Sequence, residues 1–318
     1  MIGIKSIEFY IPDNLYPVRE LKEVQELTPE QQNILSLMKL ETVSIAEEYD
    51  NTELAYEASK KALTAAGITP ENVDVVIYLQ SRSPKYLMSS EATRLQELIG
   101  ATNAYSFTVA DMGCTNINIA LSLARNILTS DENVDNILIS CGSKPTGKDR
   151  YREAVTVIGD GGMGVVVSRC ESNQLLDIKI KTDGRFWDLY KVEYKDKLVD
   201  EYKEICTNSR YKFELSIASR NNFKILNSEL LGNNFDEVNG VIMQNLSESA
   251  FTFNEEALQV NLLESCFQNC RMYGHLGSID IMLNYKTSLQ NGEINKGDKV
   301  LIMNNSPVAC WSSLLMKV

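Results

Sequence analysis

The sequence predicts an α/β protein built from two similar halves. Three observations carry that expectation: apolar β-branched runs alternate with helical periodicity, the same plan recurs across the chain, and no Pro- or Ser-rich linker separates the repeats. The opening IGIKSIEFYI reads as a strand. NTELAYEASKKALTAAGI follows with 3.6-residue periodicity and Asn51 or Thr52 as its N-cap, and NVDVVIYLQS reads as a buried strand. CTNINIALSLARNILTS predicts a second helix and NVDNILISCGS a further strand, while AVTVIGDGGMGVVVSR predicts two short strands around a glycine-rich bend. In the second half, IASRNNFKILNSELLGNNFDEVNGVIMQN repeats the helix, acidic loop and buried strand of the first. HLGSIDIMLNYKTSLQNGEINKGDKVLIMNNS likewise repeats the stretch that starts at Cys114. The boundary is expected near residue 170, giving halves 1–170 and 171–318, with the helix starts at Cys114 and His275 in equivalent places.

With 318 residues, 44% of them hydrophobic, the chain is long enough for one large core or two ordinary domains. A net charge of −12 and a pI near 4.8 argue against binding nucleic acid or an anionic membrane, since both require a positive field. A small-molecule or protein partner is expected instead. MIGIKSIEFYIP has neither the basic flank nor the apolar run of a secretion signal, and no later segment resembles a membrane span, so the expectation is a soluble cytoplasmic protein. The seven cysteines are scattered, which predicts reduced and mostly buried thiols without a disulfide framework. Cys266 and Cys270, four apart with His275 beyond, lack a second paired motif to complete a zinc site and are read as core-facing helical residues; no metal is expected.

The chemistry centres on His275, the only histidine, which stands between Gly274 and Gly277. Cys114 directly precedes a helical pattern, where backbone N–H groups and the helix dipole favour a thiolate, and Gly113 permits a tight turn before it. Asp280, five residues after His275, is a candidate to orient the imidazole. Positions i and i+5 point about 140° apart on a continuous helix, so contact requires His275 to lie in the turn before the helix. Each residue also has an ordinary structural reading: Cys114 as a buried cysteine, His275 as a satisfied core residue, Asp280 as a first-turn acid. Gly159-Asp160-Gly161-Gly162-Met163-Gly164 does not have dinucleotide-loop spacing and leads into strand-like VVVSR, so a nucleotide site is not expected there.

Together these segments resemble the thiolase superfamily, and within it the β-ketoacyl-acyl-carrier-protein synthase III branch. The likeness runs over essentially the whole chain, through IGIKSIEFYIPDN, VADMGCTNINIAL, IGDGGMGVVV, YGHLGSIDIML and KVLIMNNSPVACWSSLLMKV. It implies a five-layer αβαβα fold, a homodimer, a Cys114 that is acylated by a thioester, and no cofactor beyond the coenzyme A or phosphopantetheine thioester that is its substrate. Condensing members place histidine and asparagine beside the cysteine; here those positions read Gln244 and His275. Gln244 donates hydrogen bonds but takes no proton at neutral pH, which disfavours decarboxylative condensation. A displaced histidine with an aspartate five residues on resembles divergent members that transfer an acyl group to oxygen or nitrogen through a Cys-His-Asp set in natural-product biosynthesis.

The resemblance therefore implies an acyltransferase with Cys114, His275 and Asp280 as its catalytic set, moving an acyl group from acyl-CoA or an acyl carrier protein to a small hydroxyl- or amine-bearing acceptor. A carbon–carbon condensing enzyme, a thioesterase and a non-catalytic partner subunit are the alternatives. The glycine-rich closing loop of the family reads Ser306-Pro307-Val308, and proline has no N–H, so the oxyanion hole is expected to combine the Cys114 amide with Gln244 or the Val308 amide. Arg152 matches a position that contacts the coenzyme A adenine end, in a stretch with Lys144, Lys148 and Arg150. The helix SESAFTFNEEALQ carries Glu248, Glu255 and Glu256 where basic residues usually dock the carrier.

Overall fold

The computed structural model describes every residue except 81–83, 85, 87, 199–200, 207–208 and 233–234, with backbone alone at 209–212 and 236. Ser81 at the end of the second expected strand, and Asn233 and Asn234 in the acidic loop, lie outside the described residues. The principal strands are β1 (Gly3–Tyr10), β2 (Val75–Leu79), β3 (Tyr105–Val109), β4 (Asn136–Ser143), β5 (Gly161–Ser168), β6 (Gln174–Thr182), β7 (Gly240–Met243), β8 (Lys299–Ser306) and β9 (Cys310–Lys317). The principal helices are α1 (Asn51–Ala66), α2 (Glu91–Ile99), α3 (Asn116–Ser130), α4 (Ser209–Leu231), α5 (Glu248–Leu258), α6 (Glu264–Tyr273) and α7 (Asp280–Gln290).

The strands run in the order β7-β8-β9-β6-β1-β5-β4-β2-β3. β1 and β6 meet only at Gly3 and Gln174, so two sheets are joined at one residue pair. In the first sheet β2 pairs in parallel with β3 and β4, and β4, β5 and β1 continue antiparallel. The second sheet has the same plan: β7 is parallel to β8, and β8, β9 and β6 continue antiparallel. The counterpart of β3 shrinks to a single parallel bridge between Val241 and Leu262.

α1 packs on β1, β4 and β5, with α2 beside it, and α4 packs on β6 and β9. α3 touches β2, β4, β5 and β6, and α7 touches β1, β7 and β8, so these two helices lie between the sheets. The result is an α/β layering of helix, sheet, helix, sheet, helix. One apolar core runs through it, joining Ile77, Ile139 and Val165 of the first sheet to Ile117 and Leu121 of α3, Ile281 and Met282 of α7, and Ile242, Leu301 and Leu314 of the second sheet.

Two sequence expectations need correction. The N-cap of α1 is Asp50, not Asn51 or Thr52: its carboxylate accepts the N–H groups of Thr52 and Glu53 while Glu53 returns a bond to the Asp50 N–H. Thr52 lies inside the helix with its hydroxyl turned to Glu91. Of the expected glycine-rich bend, only Gly159 and Asp160 stand between two strands, Thr156–Val157 and β5, because Gly161 to Gly164 lie within β5. The reason is the approach of α1. A Cβ on Gly142 would lie 1.9 Å from the Asn51 carbonyl oxygen, one on Gly162 2.0 Å from that of Leu54, and one on Gly164 2.9 Å from that of Ala58. The glycines let a helix backbone rest directly on the sheet.

None of the seven cysteines forms a disulfide, and five are buried. Cys266 and Cys270 sit in the core on α6, where burial pushes the Cys266 thiol up to about 12.

Candidate active site

After β3 the chain turns sharply. Asp111 at φ 72° and Gly113 at φ 55° occupy the left-handed region, and a 3₁₀ turn over Gly113–Thr115 leads into α3. Cys114 lies in that turn, 8% exposed. The second half holds it there. Asn304 of β8 donates to the Cys114 carbonyl at 2.8 Å and to Asn118 Oδ1 at 2.8 Å, and Ser278 Oγ donates to the Gly113 carbonyl at 3.2 Å.

His275 lies in the turn before α7, not in the helix. Its N–H donates to the Val157 carbonyl at 2.8 Å and its carbonyl accepts the Gly159 N–H at 3.1 Å, a bridge that fixes the backbone on both sides of the side chain. A Cβ on Gly274 would lie 2.4 Å from the Val157 oxygen, so this close pairing requires glycine there. Gly277–Ile279 form a 3₁₀ turn and Asp280 begins α7.

These two turns bring the three residues together. Cys114 Sγ is 3.1 Å from His275 Nε2, and His275 Nδ1 is 2.6 Å from Asp280 Oδ2. Asp280 is fully buried; its Oδ1 accepts the Leu276 N–H at 2.7 Å and its Oδ2 accepts the Asn245 N–H at 3.0 Å. Burial raises the Asp280 pKa, opposed by His275 and by these N–H donors. For His275, burial works to lower the pKa, but the Cys114 sulfur and the Asp280 carboxylate outweigh it and raise the ring to about 10. A cysteine, an imidazole within reach of its proton and a carboxylate fixing the other ring nitrogen form an arrangement suited to nucleophilic acyl chemistry.

Cys114 and His275 open onto a cavity of about 650 Å³, whose lining includes Arg152, Tyr190, Phe223, Gln244, Phe253, Asn305, Ser306 and Pro307. Gln244 reaches the cavity, but its amide is committed to Asn305: Nε2 donates to the Asn305 carbonyl at 3.0 Å and to its side-chain oxygen, and Oε1 accepts the Asn305 N–H at 3.3 Å. Its donors are therefore not directed at Cys114. Val308 stands in the turn between β8 and β9 and is not among the cavity-lining residues, whereas Pro307 is. The turn is closed by the Ala309 N–H on the Ser306 carbonyl at 3.1 Å.

Arg152 lies at the cavity wall with its guanidinium paired to Glu204 at 2.9 Å and set 5.3 Å from the Tyr190 ring centre. The basic stretch around it is partly internal. Lys144 donates to the carbonyls of Ala46 and Tyr49, and Arg150 makes a paired contact with buried Asp160 at 2.7 and 3.0 Å. On α5, Glu248 pairs with Arg271 and Glu255 accepts the Leu262 N–H at 2.8 Å.

Sequence reading missed the asparagines that assemble the site. Asn304 holds the nucleophile turn. Asn284, on α7, donates to Met243 at 2.8 Å and to Asn245 Oδ1 at 2.9 Å, placing the Asn245 amide under Asp280. The available signal was Asn304 and Asn305 interrupting the apolar run VLIM, since buried amides in a strand must find partners.

Comparison with known proteins agrees with this architecture. Residues 110–184, which contain Cys114 and the β5 glycines, match the family described as 3-oxoacyl-[acyl-carrier-protein (ACP)] synthase III. The chain is 25% identical over 331 residues to the β-ketoacyl-[acyl-carrier-protein] synthase III of Clostridium perfringens, with both chains covered completely. Among solved structures, the 3-oxoacyl-[acyl-carrier-protein] synthase III of Aquifex aeolicus superposes with a TM-score of 0.80 at 20% identity, covering all of both chains. ChlB3, described as an acyltransferase, superposes with a TM-score of 0.83 at 18% identity, covering 100% of this chain and 97% of its own. Fold and site thus define a thiolase-fold protein with a cysteine at the start of a central helix. In sequence the chain is similar to β-ketoacyl-acyl-carrier-protein synthase III proteins, and its fold is thiolase-like. Among its described residues, no helix is long and apolar enough to cross a membrane.

Proposed function

We propose that this protein is an acyltransferase that passes an acyl group from an acyl-CoA or acyl-carrier-protein thioester, through Cys114, to a hydroxyl or amine acceptor in natural-product biosynthesis. The observation that carries the reading is the line from Cys114 Sγ to His275 Nε2 at 3.1 Å and from His275 Nδ1 to Asp280 at 2.6 Å, with Gln244 tied to Asn305 beside it. The cysteine gives its proton to Nε2 and its thiolate attacks the thioester carbonyl. Collapse of the adduct expels the donor thiolate, which takes that proton from Nε2. Acylation removes the sulfur's negative charge, one of the two attractions that hold the proton on the ring. Neutral His275 then takes the proton of the acceptor O–H or N–H as it attacks the acyl-enzyme, and passes it back to Cys114 Sγ as the ester or amide leaves. No cofactor takes part.

The buried Asp280 carboxylate keeps the proton on Nδ1, leaving Nε2 to work on the substrate side. This cycle requires no carbanion, in keeping with a Gln244 that neither accepts a proton nor points its N–H groups at the sulfur. A homodimer formed along β3, a terminal strand of the sheet where Tyr105 is exposed and stacks on Phe107, belongs to the same reading.

Incubation with a panel of acyl-CoAs followed by intact mass measurement tests it. A single acyl adduct is expected, absent in Cys114→Ala and discharged by a hydroxyl or amine acceptor. Absence of any adduct overturns the covalent reading, and Cys114-dependent carbon dioxide release from a malonyl thioester would show condensation in its place.

A further inference from the structure

Ser306, the last residue of β8, is 2% exposed, and its Oγ is a buried hydroxyl without a hydrogen-bond partner among the described residues. Buried hydroxyls are normally paired, because leaving one unpaired costs the hydration it gave up. The surroundings of this one point to a partner that arrives with the substrate.

Side chains alternate along β8. Asn304 faces the nucleophile turn, where Nδ2 donates to the Cys114 carbonyl at 2.8 Å. Asn305 faces the opposite way, bonded to Gln244 and reaching Ser219 of α4 at 3.5 Å. Ser306 returns to the nucleophile side. A Cβ built on Gly113, the residue before Cys114, would lie 3.2 Å from Ser306 Cβ and 3.8 Å from its Oγ. Ser306 also lines the cavity with Cys114 and His275. The next residue, Pro307, borders the same cavity and has no N–H to offer, and the Gln244 donors are committed to Asn305.

We propose that the Ser306 hydroxyl is an oxyanion donor of this site: it hydrogen-bonds the carbonyl oxygen of the acyl group carried on Cys114 and strengthens that bond as the oxygen becomes negative. This inference rests on the reading of Cys114 as the acylated residue. When the Cys114 thiolate adds to the thioester carbon, the C=O π pair moves onto oxygen. Ser306 O–H donates to that oxygen and keeps its proton. Collapse re-forms C=O and expels the donor thiolate, which is protonated from His275 Nε2. Acyl transfer repeats the sequence with the acceptor oxygen or nitrogen attacking and Cys114 leaving. A buried hydroxyl at a strand end supplies a donor whose position is set before the reaction, which is what makes such donors effective.

The test is the infrared carbonyl band of the acyl-enzyme, isolated by difference between ¹²C- and ¹³C-carbonyl acyl-CoA, in the wild type, Ser306→Ala and Ser306→Thr, together with single-turnover acylation rates. The expected result is a band at lower frequency in wild type and Ser306→Thr, a higher frequency in Ser306→Ala, and an acylation rate about 100-fold lower in Ser306→Ala. Because Oγ has no hydrogen-bond partner among the described residues, Ser306→Ala is expected to unfold at the wild-type temperature or above. A wild-type band at the position of a thioester in aprotic solvent overturns the proposal without any variant, as does a Ser306→Ala enzyme with wild-type band and rate. A wild-type protein that forms no Cys114 adduct overturns the acyltransferase reading itself and this inference with it.

Discussion

Asn116 and Asp280 occupy matching positions in the two halves of the molecule: Asn116 Oδ1 accepts the Met112 N–H at 3.2 Å, and Asp280 Oδ1 accepts the Leu276 N–H at 2.7 Å. Each side chain reaches back four residues over a 3₁₀ turn, Gly113-Cys114-Thr115 in one half and Gly277-Ser278-Ile279 in the other. This correspondence pairs Cys114 with Ser278 and His275 with Asp111. The same helix-start device thus serves a neutral amide beside the nucleophile and a carboxylate beside the imidazole. Only the carboxylate has a second acceptor oxygen for Nδ1.

Asp280→Asn keeps the helix-start bond through its amide oxygen but turns an NH₂ group toward Nδ1, favouring the tautomer with its hydrogen on Nε2. Single-turnover acylation measured by stopped-flow thiol release is expected to fall by roughly 10³- to 10⁴-fold, and the melting temperature is expected to drop as well, because the NH₂ group replaces the oxygen that accepts the Asn245 N–H. An acylation rate within about tenfold of wild type would show that Asp280 has no such orienting role.

The only histidine in the chain makes the imidazole directly observable. Its pKa is raised from 6.5 to about 10, so the wild-type ring is expected to stay protonated through neutral pH in a ¹H–¹⁵N NMR titration. Cys114→Ala removes the attraction of the sulfur and leaves burial opposed by Asp280 alone, so the midpoint is expected to fall. The sign for stability follows: the contribution of the charged ring is complete below pH 6.5 and disappears as the pH rises through about 10. Relative to His275→Gln, the wild type should lose melting temperature across that interval.

Gly162→Ala places a methyl group 2.0 Å from the Leu54 carbonyl oxygen, against backbone that cannot rotate away. Overpacking of this kind costs about 1–3 kcal/mol or more, read as a lower urea midpoint. Gly184→Ala is the control, since nothing lies within 4 Å of its added carbon.

Asp160→Ala leaves the Arg150 guanidinium partly buried without its paired carboxylate and frees the Ala46 N–H that Asp160 accepts at 2.8 Å. The expected loss is about 3–5 kcal/mol by chemical denaturation. Gly159, next in the chain, anchors the His275 carbonyl, so acylation is expected to slow together with the loss of stability.

The order of strands and helices was legible because the apolar period changes from two to 3.6 within short segments, and the repeat of that order marked the two halves. The need for His275 to sit before α7 was also legible, since the helical period forbids contact between positions five apart. The glycine run of β5 was not, because glycines permit a bend and a tightly covered strand equally well, and the approach of α1 from another part of the chain decides between them. The roles of Asn304, Asn284 and Asn245 were invisible for the same reason: an amide in a strand carries no local mark of its partner. Gln244 and Val308 were expected as oxyanion donors from their places in the chain; the Asn305 contacts occupy the Gln244 amide, and Val308 stands in the turn after Ser306, outside the cavity-lining residues.

By itself the sequence determined that the chain is a doubled α/β protein with one cysteine at a helix start and a single imidazole, because periodicity, turn residues and composition are local properties. Only the tertiary structure decided that Cys114 and His275, 161 residues apart, lie 3.1 Å from each other. That distance is set by two sheets joined at one residue pair with α3 and α7 packed between them, an arrangement of long-range contacts that no local segment encodes.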